Sequence, residues 1–196
     1  MYNKLFTGLG MVILAVAVLM AKDEAFDRVI NVTLINRPAL DEIKPPLKEK
    51  EIEYLKIEVS RYFAQAGVEV RYHDEPGSKN LRVNFTSKPL KVCQSEKIGG
   101  LPIGCALVNE QTRKGIISYI NVPGINDIET AKGLPGGRII ARAIVHELCH
   151  LLGIPERSGG KSGIMTVDSS WLDPKKFIFL APAEVAFIRT ALASED

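Results

Sequence analysis

The pentapeptide His146-Glu147-Leu148-Cys149-His150 holds two of the chain's three histidines, four residues apart. Positions i and i+4 of a helix lie one above the other, so both imidazoles leave one face and can grip a single Zn²⁺ at about 2.0–2.1 Å. The spacing therefore demands a helix, predicted here from about Arg138 to Leu152 after the loop Leu134-Pro135-Gly136-Gly137. Glu147 stands too close to the first histidine to complete the ligand set but can reach a water on the metal, which makes it the expected general base. The chemistry expected of such a helix is hydrolysis by zinc-activated water.

The residues that follow extend the pattern. Gly153 lets the chain turn sharply out of the helix, and Glu156 offers a carboxylate that can return to the same metal. Ser162-Gly163-Ile164-Met165 comes shortly after. The stretch HELCHLLGIPERSGGKSGIM resembles the metzincin zinc metallopeptidases, whose pattern is H-E-x-x-H-x-x-G-x-x-(His or Asp) followed by a Met-turn. FLAPAEVAFIRTAL resembles the C-terminal helix of the matrixin-like members. The resemblance covers nearly the whole chain after its N-terminal segment, and its specific part runs from His146 to Met165.

What the resemblance implies is one Zn²⁺ held by His146, His150 and Glu156, with Glu147 as catalytic base and Met165 as an apolar floor under the metal. Glu156 stands where the family has His or Asp and is one methylene longer than Asp. Val167 replaces the tyrosine that some members carry two positions after the methionine. Substrate backbone is expected to pair with an edge strand at Gly104–Val108. Neither a His-rich loop for a second zinc nor an Asp-rich calcium loop is evident. Glu184, 34 residues beyond His150, is the competing third ligand of a gluzincin arrangement. Its place in the first turn of a helix accounts for it without a metal. His73, on the polar face of an early strand, reads as a surface residue.

The rest of the chain supplies a platform. Arg28–Asn36 alternates Ile30, Val32 and Leu34 with polar neighbours, and Val68–Tyr72 and Leu81–Phe85 do the same, which is the period of half-buried strands. Leu47–Ala66 repeats apolar residues at three-and-four spacing, predicting a helix that Gly67 ends. Ala106–Asn109 and Gly115–Val122 read as a hairpin whose second arm, nearly continuous in apolar residues, is an inner strand. Pro123-Gly124 reads as a loop, and Pro182 opens a final helix. The expected fold is α+β and metzincin-like: a mixed twisted sheet of about five strands, a long active-site helix among three, and a loop-rich C-terminal part ending in a helix.

Leu5–Ala21 carries no charge and follows Lys4, so residues 1–21 are expected to be a signal peptide or N-terminal membrane anchor, leaving 22–196 as one domain outside the cytoplasm. A disulfide between Cys93 and Cys105 would suit that compartment, with Cys149 as a buried free thiol. A net charge of +2 over 196 residues argues against a nucleic-acid partner. Oligomeric state is not legible. The expected activity is that of a zinc-dependent endopeptidase acting on peptide or protein substrates; the alternative is a non-catalytic, extracytoplasmic domain of the same fold that binds a protein partner.

Overall fold

Strand β1 (Arg28–Ile35) buries Ile30 and Val32 and is flanked on both sides by parallel partners, β2 (Val68–Tyr72) and β3 (Leu81–Thr86). The computed structural model describes residues 26–38, 45–88, 97–98, 101–132, 137–160, 162–167, 171 and 177–193. Beyond β3 the sheet continues with β7 (Gly115–Asn121), parallel to β3, and ends with β6 (Gly104–Val108), antiparallel to β7. The order is β2-β1-β3-β7-β6, so the apolar arm β7 is an inner strand and β6 lies at the edge.

Parallel neighbours need a crossover, and helix α1 (Glu49–Ala64) supplies it between β1 and β2. Its start is closed by the Glu51 carboxylate, which accepts the Lys48 backbone N–H at 2.7 Å. Its buried face carries Leu55, Val59, Tyr62 and Phe63, and Gly67 leaves the last turn with φ at +71°.

Two elements depart from the expectations drawn from the sequence. Pro123-Gly124 is not a loop but the first turn of helix α2 (Val122–Lys132). Proline fits there because first-turn N–H groups have no partner within the helix, and Asn121 Oδ1 caps the start by accepting the Gly124 N–H at 3.3 Å. A second, two-stranded antiparallel sheet pairs β4 (Lys97–Ile98) with β5 (Leu101–Pro102) inside the stretch bracketed by Cys93 and Cys105. Four helices, not three, thus appear among the described residues.

Helix α3 (Arg138–Leu151) packs on β6, β7 and α1. Twelve of its fourteen residues are buried, so it is enclosed on nearly every side rather than amphipathic. Three of the buried ones are Arg142, His146 and Glu147. The Arg142 guanidinium donates to the Trp171 carbonyl and lies beside the Tyr62 hydroxyl, which is how a charge is kept at 1% exposure. The last helix is α4 (Pro182–Ala193), which buries Glu184, Ile188 and Leu192. Arg189 Nε donates to the Ala66 carbonyl at 2.9 Å and the Leu180 N–H to Gln65 Oε1 at 3.0 Å, tying this C-terminal part to the end of α1.

The hydrophobic run Leu5–Ala21 lies outside the described residues, and no helix among those described is long and apolar enough to cross a membrane. Cys93 also lies outside them; Cys105 is disulfide-bonded and Cys149 is a buried free thiol.

The β6–β7 hairpin closes over a bulge at Leu107/Val108, and Gly115 fits it only because it lacks a side chain. A Cβ there would stand 2.1 Å from the Leu107 carbonyl oxygen and 3.0 Å from Leu151 Cδ2. Gly115→Ala is expected to cost about 2 kcal/mol, lowering Tm by about 4–8 °C for a domain of this size. Thermal unfolding followed by circular dichroism checks this, and an unchanged Tm would contradict the packing described.

Candidate metal centre

His146 and His150 leave α3 one turn apart, their rings edge to face with centroids 4.7 Å apart. Each ring is held from outside the helix. His146 Nδ1 lies 3.0 Å from the Ile164 carbonyl oxygen and His150 Nδ1 lies 2.9 Å from that of Ile154. A carbonyl only accepts, so both Nδ1 atoms carry the proton, and in the neutral rings both Nε2 atoms keep a lone pair. Those lone pairs converge: the two Nε2 atoms are 3.1 Å apart, and Glu156 Oε1 is 3.1 Å from that of His146 and 3.3 Å from that of His150.

Three acceptors this close repel one another unless a cation stands between them. A tetrahedral ion bound at about 2.0–2.1 Å has ligand atoms about 3.3–3.4 Å apart, close to the spacing found. Two imidazoles and one carboxylate are also the donor types zinc accepts, and among the described residues these three alone form such a cluster. The residues present fit the metal that the sequence pattern implied.

Backbone geometry explains how Glu156 reaches the imidazoles. The helix ends in a turn in which the Gly153 N–H donates to the His150 carbonyl and the Ile154 N–H to that of Cys149, with Gly153 at φ +89°. That turn also delivers the Ile154 carbonyl to His150. Arg157, directly after Glu156, is held at φ +56°, a left-handed conformation uncommon outside glycine, and its N–H donates to the Met165 carbonyl at 2.9 Å. The loop is thereby folded back, which absorbs the extra methylene of a glutamate. His146 is fully buried, whereas the side chains of His150 and Glu156 are 15% and 47% exposed, so the cluster opens to solvent on their side.

Glu147 is buried on the same helix, against the edge strand. A Cβ at Gly104, the first residue of β6, would lie 2.7 Å from Glu147 Oε1 and 2.9 Å from the Tyr119 carbonyl oxygen. Gly104 therefore makes room for the carboxylate, a function that a single glycine in a Gly-rich stretch does not announce. Met165 is fully buried in the core, with Ile164 before it bonded to His146. Trp171 was not foreseen as a site residue. It is fully buried and meets the His146 ring edge to face at 5.4 Å. The only sequence signal for it was that the chain has one tryptophan.

The competing candidates lie apart from the cluster or do something else. His73 is exposed and bonds Asn31 Oδ1 at 2.8 Å. Glu184 does more than favour the first turn of α4. It is fully buried, and its two oxygens accept the N–H groups of Ile164, Met165 and Ala181 at 3.1, 2.8 and 2.7 Å. Burial, with the Glu184 and Glu147 carboxylates nearby, pushes the Cys149 thiol well above its ordinary range, so it is a packing group rather than a nucleophile.

No protein-family model and no curated protein matches the chain. Among solved structures it is similar to archaemetzincin from Methanopyrus kandleri, with 14% identity over 87% of this chain and 98% of that one and a TM-score of 0.50. At that identity the likeness speaks for the fold, which is metzincin-like, and it does not extend to the matrixin-like members in particular.

Proposed function

We propose that the chain is a zinc-dependent endopeptidase, with one Zn²⁺ held by His146, His150 and Glu156 and with Glu147 as general base. The observation that carries this reading is the convergence of three acceptor atoms at 3.1–3.3 Å, the spacing of zinc ligands, on the helix that also bears Glu147. When bound there, zinc acidifies a water and polarises a substrate carbonyl.

The protein's own groups account for the remaining requirements. The two carbonyl-bonded Nδ1–H groups keep both Nε2 lone pairs aimed at the cation whatever the substrate does. Glu147, enclosed between α3 and Gly104, takes a proton from the attacking water and can pass it to the leaving amine. Beside it, β6 has one sheet partner among the described residues, β7, so its outer edge can pair with an extended peptide backbone. Leu107 and Val108, each 40% exposed, provide apolar surface along that strand. Main-chain pairing recognises extended peptide as a class, and this supports peptide or protein as the substrate. The charge-free run after Lys4 supports export or anchoring, and with it a reaction outside the cytoplasm. The Met165 turn and the closing helix α4 support a matrixin-like variant of the fold.

Purified protein is expected to bind zinc at one ion per chain by metal analysis. Glu156→Ala should weaken binding by more than the roughly 10–100-fold that follows loss of an outer-sphere partner, whereas His73→Ala should leave it unchanged. Full affinity in Glu156→Ala would remove the carboxylate from the ligand set.

Glu147→Gln is expected to keep its zinc and to lose cleavage of a mixed peptide library by about 100-fold or more. Equal cleavage by both proteins would exclude Glu147 as base. Zinc binding with no cleavage by the wild type would instead favour a non-catalytic domain that binds a protein partner.

A further inference from the structure

Glu184 lies at the start of α4, in a part of the chain that contributes nothing directly to the three-donor cluster. A carboxylate at the third position of a helix ordinarily closes its own N-terminus, and the bond from the Ala181 N–H does that. The other two bonds, from Ile164 and Met165, span 20 and 19 residues and serve no helix end. Each of those residues turns its carbonyl towards the site: Ile164 to His146 Nδ1 at 3.0 Å, and Met165 to the Arg157 N–H at 2.9 Å, next to Glu156.

We propose that Glu184 is the positioning residue of the metal centre, holding the Ile164–Met165 dipeptide so that its two carbonyls fix the His146 imidazole and the loop carrying Glu156. The inference rests on the zinc reading above and adds to it a residue that touches neither metal nor substrate.

The surroundings of the carboxylate are built for it. A Cβ at Gly163, which sits at φ +112°, would lie 2.5 and 2.6 Å from the two Glu184 oxygens, and one at Gly159 would lie 2.5 Å from Oε1. The two glycines let the loop wrap closely around a group that is itself fully buried. Charge matters as well as shape. An ionised carboxylate is acceptor only and can take all three N–H groups, and a charged acceptor on the N–H side of a peptide strengthens the carbonyl on its other side. Glutamine matches the shape but presents donors on one arm, so at least one of the three bonds is lost whichever way the amide turns.

The test uses the full chain with isotope-labelled histidine. Zinc affinity is measured by chelator competition, and the His146 ring by its nitrogen resonances in metal-free protein. Glu184→Gln should lower zinc affinity by about 10–100-fold and speed solvent exchange of the His146 Nδ1–H. Val83→Ala, which trims a fully buried residue of β3, should lower Tm yet keep zinc affinity within about twofold. An unchanged affinity and His146 signal in Glu184→Gln, or an equal loss in Val83→Ala, overturns the proposal.

Should Glu184→Gln fail to fold, the wild type decides. The amides of Ile164 and Met165 and the His146 Nδ1–H are expected to be protected together, and a rapidly exchanging amide or an Nε2–H tautomer at His146 overturns it. Failure of the wild type to bind zinc would count against the enzyme reading, while the tautomer and amide protection would still judge the Glu184 arrangement.

Discussion

The candidate metal centre depends on two hydrogen bonds from imidazole to backbone. A helix can space two histidines by one turn, but it cannot orient them, because its own carbonyls are committed to its ladder. An imidazole that spins about its bonds presents either nitrogen, protonated or not. The carbonyls of Ile154 and Ile164 remove that freedom. One comes from the turn directly after the helix and the other from a segment that returns 18 residues after His146. Much of the path from Gly153 to α4 can be read as the means of bringing the second carbonyl back. It requires a left-handed exit at Gly153, a folded loop through Arg157, and a buried carboxylate at Glu184 that fastens the returning peptide.

This arrangement also explains why α3 is enclosed rather than amphipathic. A buried polar group is tolerated when its hydrogen bonds are met, and the helix carries several such groups, Arg142 and His146 on one face and Glu147 turned away from it. Arg142 is met by the Trp171 carbonyl, and His146 by that of Ile164. Glu147 is accommodated by the missing side chain of Gly104. Trp171 joins two of these environments, since its carbonyl receives Arg142 while its ring lies against His146. The rigidity of the centre thus comes from α1, the edge strand and the C-terminal stretch acting on one helix. The same enclosure leaves Cys149 a packing group despite its place inside the motif.

Much of the platform was legible because strand and helix periods are written locally. The alternation in Arg28–Asn36 and Val68–Tyr72 and the three-and-four spacing after Leu47 correspond to β1, β2 and α1 to within two residues at each end. The hairpin and the inner position of its second arm were legible too, from the nearly continuous apolar run of that arm, in which Ile116 nonetheless stays exposed. Helix α2 was not. Proline and glycine side by side read as a break unless a cap precedes them, and Asn121 becomes a cap only because β7 ends there. The second small sheet, only two residues per strand, is too short for any period to show.

For the site, the sequence by itself determined the chemistry on offer: two imidazoles at helical spacing, a carboxylate between them, a glycine exit and a further carboxylate within reach. Those are local facts, set by how far apart residues stand along one chain. Only the tertiary structure decided which nitrogen of each ring faces the others, that Glu156 folds back to both, that Gly104 clears space for Glu147, and that Glu184 belongs to the returning loop. Apart from the bonds of His150 to Ile154 and Glu156, 4 and 6 positions away, these depend on groups 10 to 43 positions apart in the sequence. Hydrogen bonds of that span leave no periodic trace, because they fix where a side chain points rather than how often its type recurs.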